Sequence, residues 1–546
     1  MRPSSGLRPP SPRKRGEGPA KFPLPPRGER VPEGRVRGVL IAVALLLTTH
    51  LFAVPDNCTE GGAAFSALSS AEVDAMVKAA AASTNINTLT IAVVDRAGRP
   101  LALYRKPAAN PANDDLAIGV ARTGAFFSHN MAPLSSRTVR FISGIHFPPG
   151  VTNTPNAALY GIENTNRGCD MNLALNPGKS VAQGTSLNGN PCNAGDQSGC
   201  GTGIVTGKVQ PDDRDASAVN PGGIPIYRAG NLAGGIGVIG ADDPDVDEYA
   251  AVSGVFGALS PVPQFPLPEP GNVYIDGIRL PFLSPNARLT ATGLERPDGI
   301  TAGVANGAYV VGPIDGGCAS NEYIVGPNAG SKLSQSEVDA IVQRAISASK
   351  RTRAAIRLPL NRYVRMVIAV ADLDGTILAL YRMPDATVFS IDVAVAKARN
   401  VIYFSGGTLP GVSNGVAVSN RTIGFGAQPL YPPGIDSKVL KVAPGPFYQI
   451  FLDDLAKPCG QGGNGIVFFA GSSPLYRNGS ALVGGLGVSG DGVEQDDYVT
   501  YLAAGDFLPN QKIWADHVTI KGVRLPMFKF PRHPEGVTEC GGKPCG

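Results

Sequence analysis

One pattern of apolar and polar positions occurs twice along this chain. Leu89–Arg105 aligns without gaps to Met366–Arg382, and ten of the seventeen positions are identical. Further matches follow in the same order: Pro225–Arg228 with Pro474–Arg477, and Gly277–Pro281 with Gly522–Pro526. A preserved order of matches indicates a tandem duplication. We refer to the two halves as copy one and copy two.

Each copy begins with the pattern of a capped helix. Ser69 with Glu72, and Ser334 with Glu337, fit the capping box, in which the serine and the glutamate each cover a free backbone N–H. Apolar residues then recur every three or four positions, as they do on the buried face of a helix.

Strands and a buried helix follow in both copies. Apolar runs around an Asp-x-x-Gly turn predict a β-hairpin over Ile91–Tyr104 and Val367–Tyr381. An apolar segment, clearest as Ile391–Phe404, predicts a helix buried across the sheet. Two closing strands and a last helix behind an acidic cluster complete the copy. The predicted fold class is α+β, with the order α-β-β-α-β-β-α around an antiparallel sheet in each of two modules.

The N-terminal residues have the charge and hydropathy of an export signal. Residues 1–38 carry ten Lys and Arg against three Glu and precede the apolar run Val39–Leu47. Nine apolar residues suit a signal-peptide core and are too few to span a bilayer comfortably. We expect residues 1–54 to be a signal peptide or an uncleaved anchor, with membrane contact limited to this segment. The rest of the chain would then be exported, to the periplasm or outside the cell.

The remaining chain divides into four predicted parts after this segment. Copy one spans 62–282, with an Asn- and Gly-rich insertion at about 164–222, and copy two spans 331–530. A linker at 283–330 joins them, and a tail with two cysteines follows at 531–546. The basic N-terminal segment contributes +7 to a formal net charge of +4, so the rest carries −3. This mildly acidic body excludes nucleic acid as a partner.

Eight cysteines follow the predicted signal segment. An even number of cysteines in an exported chain predicts disulfides, and we expect most of them to be paired. Cys192 with Cys200 is a candidate local bridge inside the insertion. The remaining connectivity stays open.

The order of motifs in copy two resembles the GlcG/HbpS-like family of haem-degrading and haem-binding proteins, which is similar to the C-terminal domain of PduO-type proteins. The resemblance rests on Ile368–Met383, Ser390–Ala398 and Pro474–Val499, while copy one keeps the hairpin and Gly234–Val238. It implies a profilin-like α/β fold in each module, frequent oligomerisation, and haem or a related tetrapyrrole as a small-molecule ligand.

The same resemblance implies where a cofactor would bind. PduO-type domains use a histidine on the first helix as an axial haem ligand, but neither Ser69–Ser83 nor Ser334–Ser349 contains one. Copy two carries six polar residues within the family motifs, and these are candidate cofactor contacts: Tyr381, Arg382, Asp392, Lys397, Glu494 and Asp496. The alternative for them is a set of helix caps and salt bridges. Copy one has Val120 in place of Lys397.

Histidines and tyrosines give weaker candidates for a metal ligand. His129 and His146 lie in copy one and neither is duplicated, so each is more typical of a structural or surface residue. Tyr104 and Tyr381, repeated at the end of the hairpin, could ligate or stack on a porphyrin, although core aromatic residues are the commoner explanation.

Two glycine-rich segments match GxGxxG, at Gly235–Gly240 and Gly485–Gly490. A dinucleotide site needs these glycines between a strand and the helix that it opens. Here they fall inside an apolar strand near the end of each copy, which favours close packing instead.

No HExxH, GxSxG or CxxC motif occurs, and the sequence identifies no enzyme class. Two hypotheses therefore remain. The first is an exported haem- or tetrapyrrole-binding protein that scavenges or senses its ligand. The second is a secreted structural or interaction protein that keeps the fold without a ligand.

Overall fold

The two copies adopt the same arrangement of helices and strands in a computed structural model of the chain. The structure describes residues 67–143, 219–256, 271–317, 325–407, 415–456 and 466–544, apart from gaps at 97, 229, 272, 276–277, 291–292, 429–430, 432–442, 537–538 and 541–542. The predicted signal segment, most of the insertion, the Cys192–Cys200 pair and His146 lie outside these residues.

Copy one is built around a β-sheet, and helices precede and follow its β-hairpin in the sequence. Its elements are α1 (Ser70–Ser83), β1 (Thr90–Asp95), β2 (Pro100–Arg105), α2 (Asp114–Phe127), α3 (Ser136–Ser143), β3 (Gly223–Arg228), β4 (Asn231–Ile239) and α4 (Pro244–Phe256). Short strand pairs follow: β5 (Tyr274–Ile275), β6 (Ile278–Arg279), β7 (Leu289–Thr290) and β8 (Gly293–Leu294). A single longer strand, β9 (Ala308–Val311), comes before copy two.

Copy two has the same order of helices and strands up to its last helix, with one further helix before its closing strands. Its elements are α5 (Gln335–Ser349), β10 (Val367–Ala371), β11 (Ile377–Arg382), α6 (Ser390–Ser405), α7 (Asn420–Gly426), α8 (Tyr448–Ala456), β12 (Ser472–Arg477), β13 (Ala481–Ser489) and α9 (Val493–Ala504). A final short pair consists of β14 (Glu539–Cys540) and β15 (Lys543–Pro544). Within the described residues, no helix is both long and apolar enough to cross a bilayer.

The predicted capping boxes and the predicted α+β fold are confirmed. Ser69 and Ser334 each accept the backbone N–H of a glutamate three residues on, and that glutamate accepts the serine N–H in return. The sheet orders are β3-β4-β1-β2-β9 and β12-β13-β10-β11, so the four shared strands follow one order in both copies. Even the register is shared, because Ile91 pairs with Tyr104 as Ile368 pairs with Tyr381.

Alternation along the central strand places two layers of helices on opposite faces of each sheet. In β1, Ile91 and Val93 join a core with α1 and α4, while Ala92 and Val94 face the core that contains α2. Successive side chains of a strand point to opposite faces, so this pattern defines a three-layer module. The core around α5 and α9 of copy two repeats it.

The glycine-rich segments lie inside strands, as the sequence predicts. A Cβ added at Gly487 of β13 would lie 2.1 Å from the Ala394 carbonyl oxygen of α6. A Cβ at Gly237 of β4 would lie 2.3 Å from the Ala117 carbonyl oxygen of α2. The missing side chains therefore allow α2 and α6 to rest directly on the backbone of the sheet, and the segments serve packing rather than nucleotide binding.

The two copies share one apolar core. A single cluster of buried residues contains side chains of α2 and β1 together with side chains of α6 and β10. Phe127 stacks on Phe389 with ring centres 4.2 Å apart, and the Val388 N–H donates to the Phe126 carbonyl at 3.1 Å. The inner helices α2 and α6 are consequently buried on almost every side.

Part of the predicted linker pairs with the sheets. Strand β9 is hydrogen-bonded to β2 and extends the sheet of copy one to five strands, with Tyr104 opposite Tyr309. Val325 forms an isolated bridge with Leu380 of β11. The hydrophobic pattern did not predict either contact.

Replacing Gly487 by Ala should destabilise the protein, because the added methyl group meets the Ala394 carbonyl and the Ala398 N–H, both of which are backbone. We expect the free energy of unfolding to fall by about 1–3 kcal/mol or more in a denaturant titration. Gly326→Ala is the matched control, since its added methyl group meets nothing within 4 Å. Equal losses for both variants would contradict the packing role.

Candidate functional site

The structure brings together two of the six candidate residues. Lys397 on α6 donates to Asp496 on α9 at 2.9 Å and to the Val488 carbonyl of β13 at 2.8 Å. Both side chains are buried, and the ammonium group lies 5.2 Å from the centre of the Phe469 ring. Lys397 is buried because α6 is buried, so a carboxylate partner is required to offset the loss of water around its charge.

A second buried ion pair lies beside the first. Arg421 on α7 donates to Asp497, which also accepts the backbone N–H groups of Gly471 at 2.9 Å and Lys529 at 3.0 Å. A Cβ at Gly471 would lie 2.4 Å from the Val488 carbonyl oxygen and 2.5 Å from Cβ of Asp496, so only glycine fits at this position. These contacts tie α6, α7, α9 and the start of β12 into one unit.

Burial shifts the protonation of both members of the lysine pair. It raises the pKa of Asp496 to about 7, with Lys397 opposing the shift and the neighbouring Asp497 and Asp491 adding to it. Burial also lowers the pKa of Lys397, an effect that Asp496 opposes. One oxygen of Asp496, Oδ1, is buried and has no hydrogen-bond partner among the described residues.

Copy one keeps the carboxylate without the lysine. Asp247 occupies the position of Asp496 and accepts the Ala241 N–H at 2.9 Å and the Gly240 N–H at 3.3 Å. Burial raises the pKa of Asp247 to about 7, while these two N–H groups lower it. Val120 fills the space of Lys397 and is fully buried.

The other four candidate residues make contacts of their own. Arg382 is buried and donates to the Ala386 carbonyl at 3.0 Å, and Asp392 is fully buried in the first turn of α6. Glu494 accepts from the exposed Lys529 at 2.8 Å, and Tyr381 is half-buried at the end of β11. The cofactor role of the six residues stays a prediction, and in this structure several of their polar atoms hold elements of copy two together.

A charged cluster that no sequence motif marks lies between the copies. Asp385 of copy two accepts from Arg96 of copy one at 3.2 Å, from the Asn130 N–H of copy one at 3.0 Å, and from Arg357 at 2.6 Å. These two arginines hold the pKa of Asp385 well below its usual range despite its burial. Arg357 also donates to the buried Asp491 at 2.5 Å.

His129, one of the two weak metal candidates, lies in this cluster. Its side chain is fully buried, and Nε2 lies 3.9 Å from Oδ1 of Asp491. Burial and the nearby Arg357 lower the pKa of His129 well below 6.5, so the ring is neutral at ordinary pH. Among the described residues, no group of three or more His, Cys, Asp and Glu side chains could hold a metal ion.

A set of aromatic side chains covers the outer side of α9. We call it the aromatic face, and its members are Tyr498, Tyr501, Trp514, Phe528 and Phe530. Neighbouring ring centres lie between 5.1 and 6.3 Å apart. Phe530 is 43% exposed, whereas the others are half-buried. No local pattern of the sequence marks this face, because its members come from three separate segments.

The fold and these sites define a class of protein: two fused α+β modules that share a core and carry a buried carboxylate, Asp247 or Asp496, at matching positions. A family model described as haem degrading protein HbpS-like matches residues 68–178 and 341–504, which together make up half of the chain. The chain belongs to this HbpS-like family, as the motifs of copy two predicted.

Solved structures give a more distant comparison. A PduOC–haem complex is 22% identical and covers 32% of this chain and 94% of its own, with a TM-score of 0.22. Protein ORFY of Klebsiella pneumoniae, assigned to a family named DUF336, is 21% identical and covers 32% of this chain and 86% of its own, with a TM-score of 0.20. At these TM-scores the two similarities support no further argument. Curated proteins gave no significant match.

Replacing Lys397 by Val, the residue of copy one, should destabilise copy two, because it leaves Asp496 buried without its cation. We expect a loss of about 3–5 kcal/mol in the free energy of unfolding at pH 9, because without Lys397 the pKa of Asp496 lies above its wild-type value of about 7. The loss should be smaller at pH 6, where Asp496 takes up a proton. Denaturant titrations at both pH values measure this difference.

Lys529→Ala is the control for that variant. It removes an ion pair with Glu494 whose lysine side chain is 63% exposed, so the change should stay below about 1 kcal/mol. A similar loss in the two variants, or no pH dependence for Lys397→Val, would contradict the account of the buried pair.

Asp247 should make stability fall as the pH rises from 5 to 7. The folded protein holds this proton up to about pH 7, whereas the unfolded chain releases it near 3.8, so folding is favoured at the acid end. The slope is at most about 1.4 kcal/mol per pH unit from this group. Asp247→Asn should flatten the pH dependence by that amount in denaturant titrations, while Asp298→Asn, on an exposed turn, should leave it unchanged.

Proposed function

We propose that this chain is an exported protein that binds haem or a related tetrapyrrole, for scavenging or for sensing. The observation that carries the proposal is the HbpS-like match over both copies, since the family's description names haem. Binding is the step that both storage and degradation of haem require, and the proposal is limited to it.

The residues present meet part of what a porphyrin needs. A porphyrin site requires apolar surface for the ring, cations for the propionates and, for haem, an iron ligand. Lys397 and Arg382 fit the cationic part poorly in this arrangement, because both are buried and donate to protein oxygens. The aromatic face fits better, since it offers partly exposed rings with the exposed His517 beside Trp514.

The chain's own residues would hold the ligand by contact and charge. Aromatic rings bury the apolar faces of a flat ligand, and exposed cations attract its carboxylates. Bound haem would supply a redox-active iron. Export is proposed on the sequence alone, from the basic residues 1–38 and the apolar run Val39–Leu47.

A haem titration of the exported protein tests the proposal. We expect saturable binding with a shifted Soret band and a stoichiometry near one haem per chain, recorded by absorbance. The same preparation should begin close to residue 54 when its N-terminus is sequenced. Absence of any Soret change would refute binding and favour the structural or interaction protein, and recovery only in the cytoplasm would refute export.

A further inference from the structure

The aromatic face combines rings that pack on the core with a ring that is open to water. Trp514 and Phe528 pack against a buried cluster that includes Met527, whereas Phe530 is 43% exposed. Phe528 and Phe530, two positions apart in an extended segment, have nearly parallel rings inclined by 22°. Tyr501 contacts both of them, at 5.7 Å and 5.1 Å between ring centres. Adjacent, partly exposed rings are costly in water and are typical of surfaces that bind a partner or ligand.

Cations outnumber carboxylates on the segments beside this face. Four cationic side chains lie on the segments next to it, against the two carboxylates of Glu494 and Glu535: Arg351, Arg353, Lys529 and Arg532. Lys529 is 63% exposed, and Arg351 is near enough to Tyr498 to oppose the rise in its pKa. The backbone N–H of Arg353 donates to the Pro534 carbonyl, which fixes this arginine beside the segment that follows Phe530. An excess of exposed cations attracts an anionic ligand.

The described residues of copy one form no such face. Its residues at the positions of Tyr501, Phe528 and Phe530 are Val252, Leu283 and Pro285. The correspondence is structural, because Thr138 and Thr422 each donate to the proline carbonyl that precedes these segments, at 2.7 and 2.8 Å. The matching tyrosine of copy one, Tyr249, is only 7% exposed. The shared fold therefore does not require aromatic residues here.

We propose that the aromatic face of copy two is the docking surface for the tetrapyrrole, an inference that rests on the proposed function. A porphyrin is flat, apolar over its ring and anionic at its propionates, which matches a platform of contiguous aromatic rings bordered by arginine and lysine. The ring packs on Tyr501, Phe528 and Phe530, and the propionates point toward the cations. Copy one supplies the second half of the scaffold.

Metal-free protoporphyrin IX is the probe that tests docking without iron ligation. Trp514 is the single tryptophan of the chain and lies in the face, 5.4 Å from Phe528, so quenching of its fluorescence reports binding. The test compares full-length exported protein with Phe530→Ala and with the double variant Tyr501→Val/Phe528→Leu, which introduces the residues of copy one. Tyr274→Ala is the control, because Tyr274 is a 49% exposed aromatic residue of copy one.

We expect the dissociation constant for protoporphyrin IX to rise about tenfold or more in the double variant and severalfold in Phe530→Ala. Tyr274→Ala should bind like the wild type. Phe530 is exposed, so its variant folds even if the double variant does not, and the thermal midpoint of each variant checks this.

The outcomes separate the two proposals. Wild-type binding with unchanged affinity in Phe530→Ala and in a folded double variant overturns the docking surface and leaves the proposed function standing. No binding of haem or protoporphyrin IX by the wild type overturns the proposed function itself, and with it the docking surface.

Discussion

Each module depends on close contact between the backbone of a helix and a strand that has glycine at the contact positions. Because Gly485 and Gly487 have no side chains, α6 lies against the backbone of β13, and α2 lies against β4 in the same way. One side of each helix packs directly on its sheet, and the other copy covers the opposite side. The helix therefore has no face exposed to solvent. Any charge on such a helix is buried, which is why Lys397 lies against a carboxylate and why copy one can hold a valine at the same position.

Local patterns predicted the scaffold well. The capping boxes at Ser69 and Ser334, the hairpins and the buried helix are each specified by residues close together in sequence, and all appear where they were expected. Strand β9 and the bridge at Val325 were not predicted, because an edge strand is chosen by the free hydrogen-bonding groups of its neighbour rather than by its own composition.

The sites were less accessible to sequence analysis. Lys397 and Asp496 could be named from family motifs, but their pairing depends on the depth of α6 in the core. Asp385 has no counterpart in the repeat, since copy one has Ala108 at the matching position of the hairpin's exit. No periodicity marks a residue whose partners, Arg96 and Asn130, lie in the other copy. A useful signal would have been the unmatched charges in otherwise matched segments.

The cluster around Asp385 also bears on how the duplicated halves can evolve. Asp385 of copy two accepts hydrogen bonds from an arginine and a backbone amide of copy one, so each half stabilises the other. Because the two halves are covalently connected, the local concentration of each half near the other stays high at any dilution. Such a fused pair is freed from symmetry, because a substitution in one half is not repeated in its partner as it would be in a homodimer. One half can then lose ligand contacts and be retained for the support that it gives to the other.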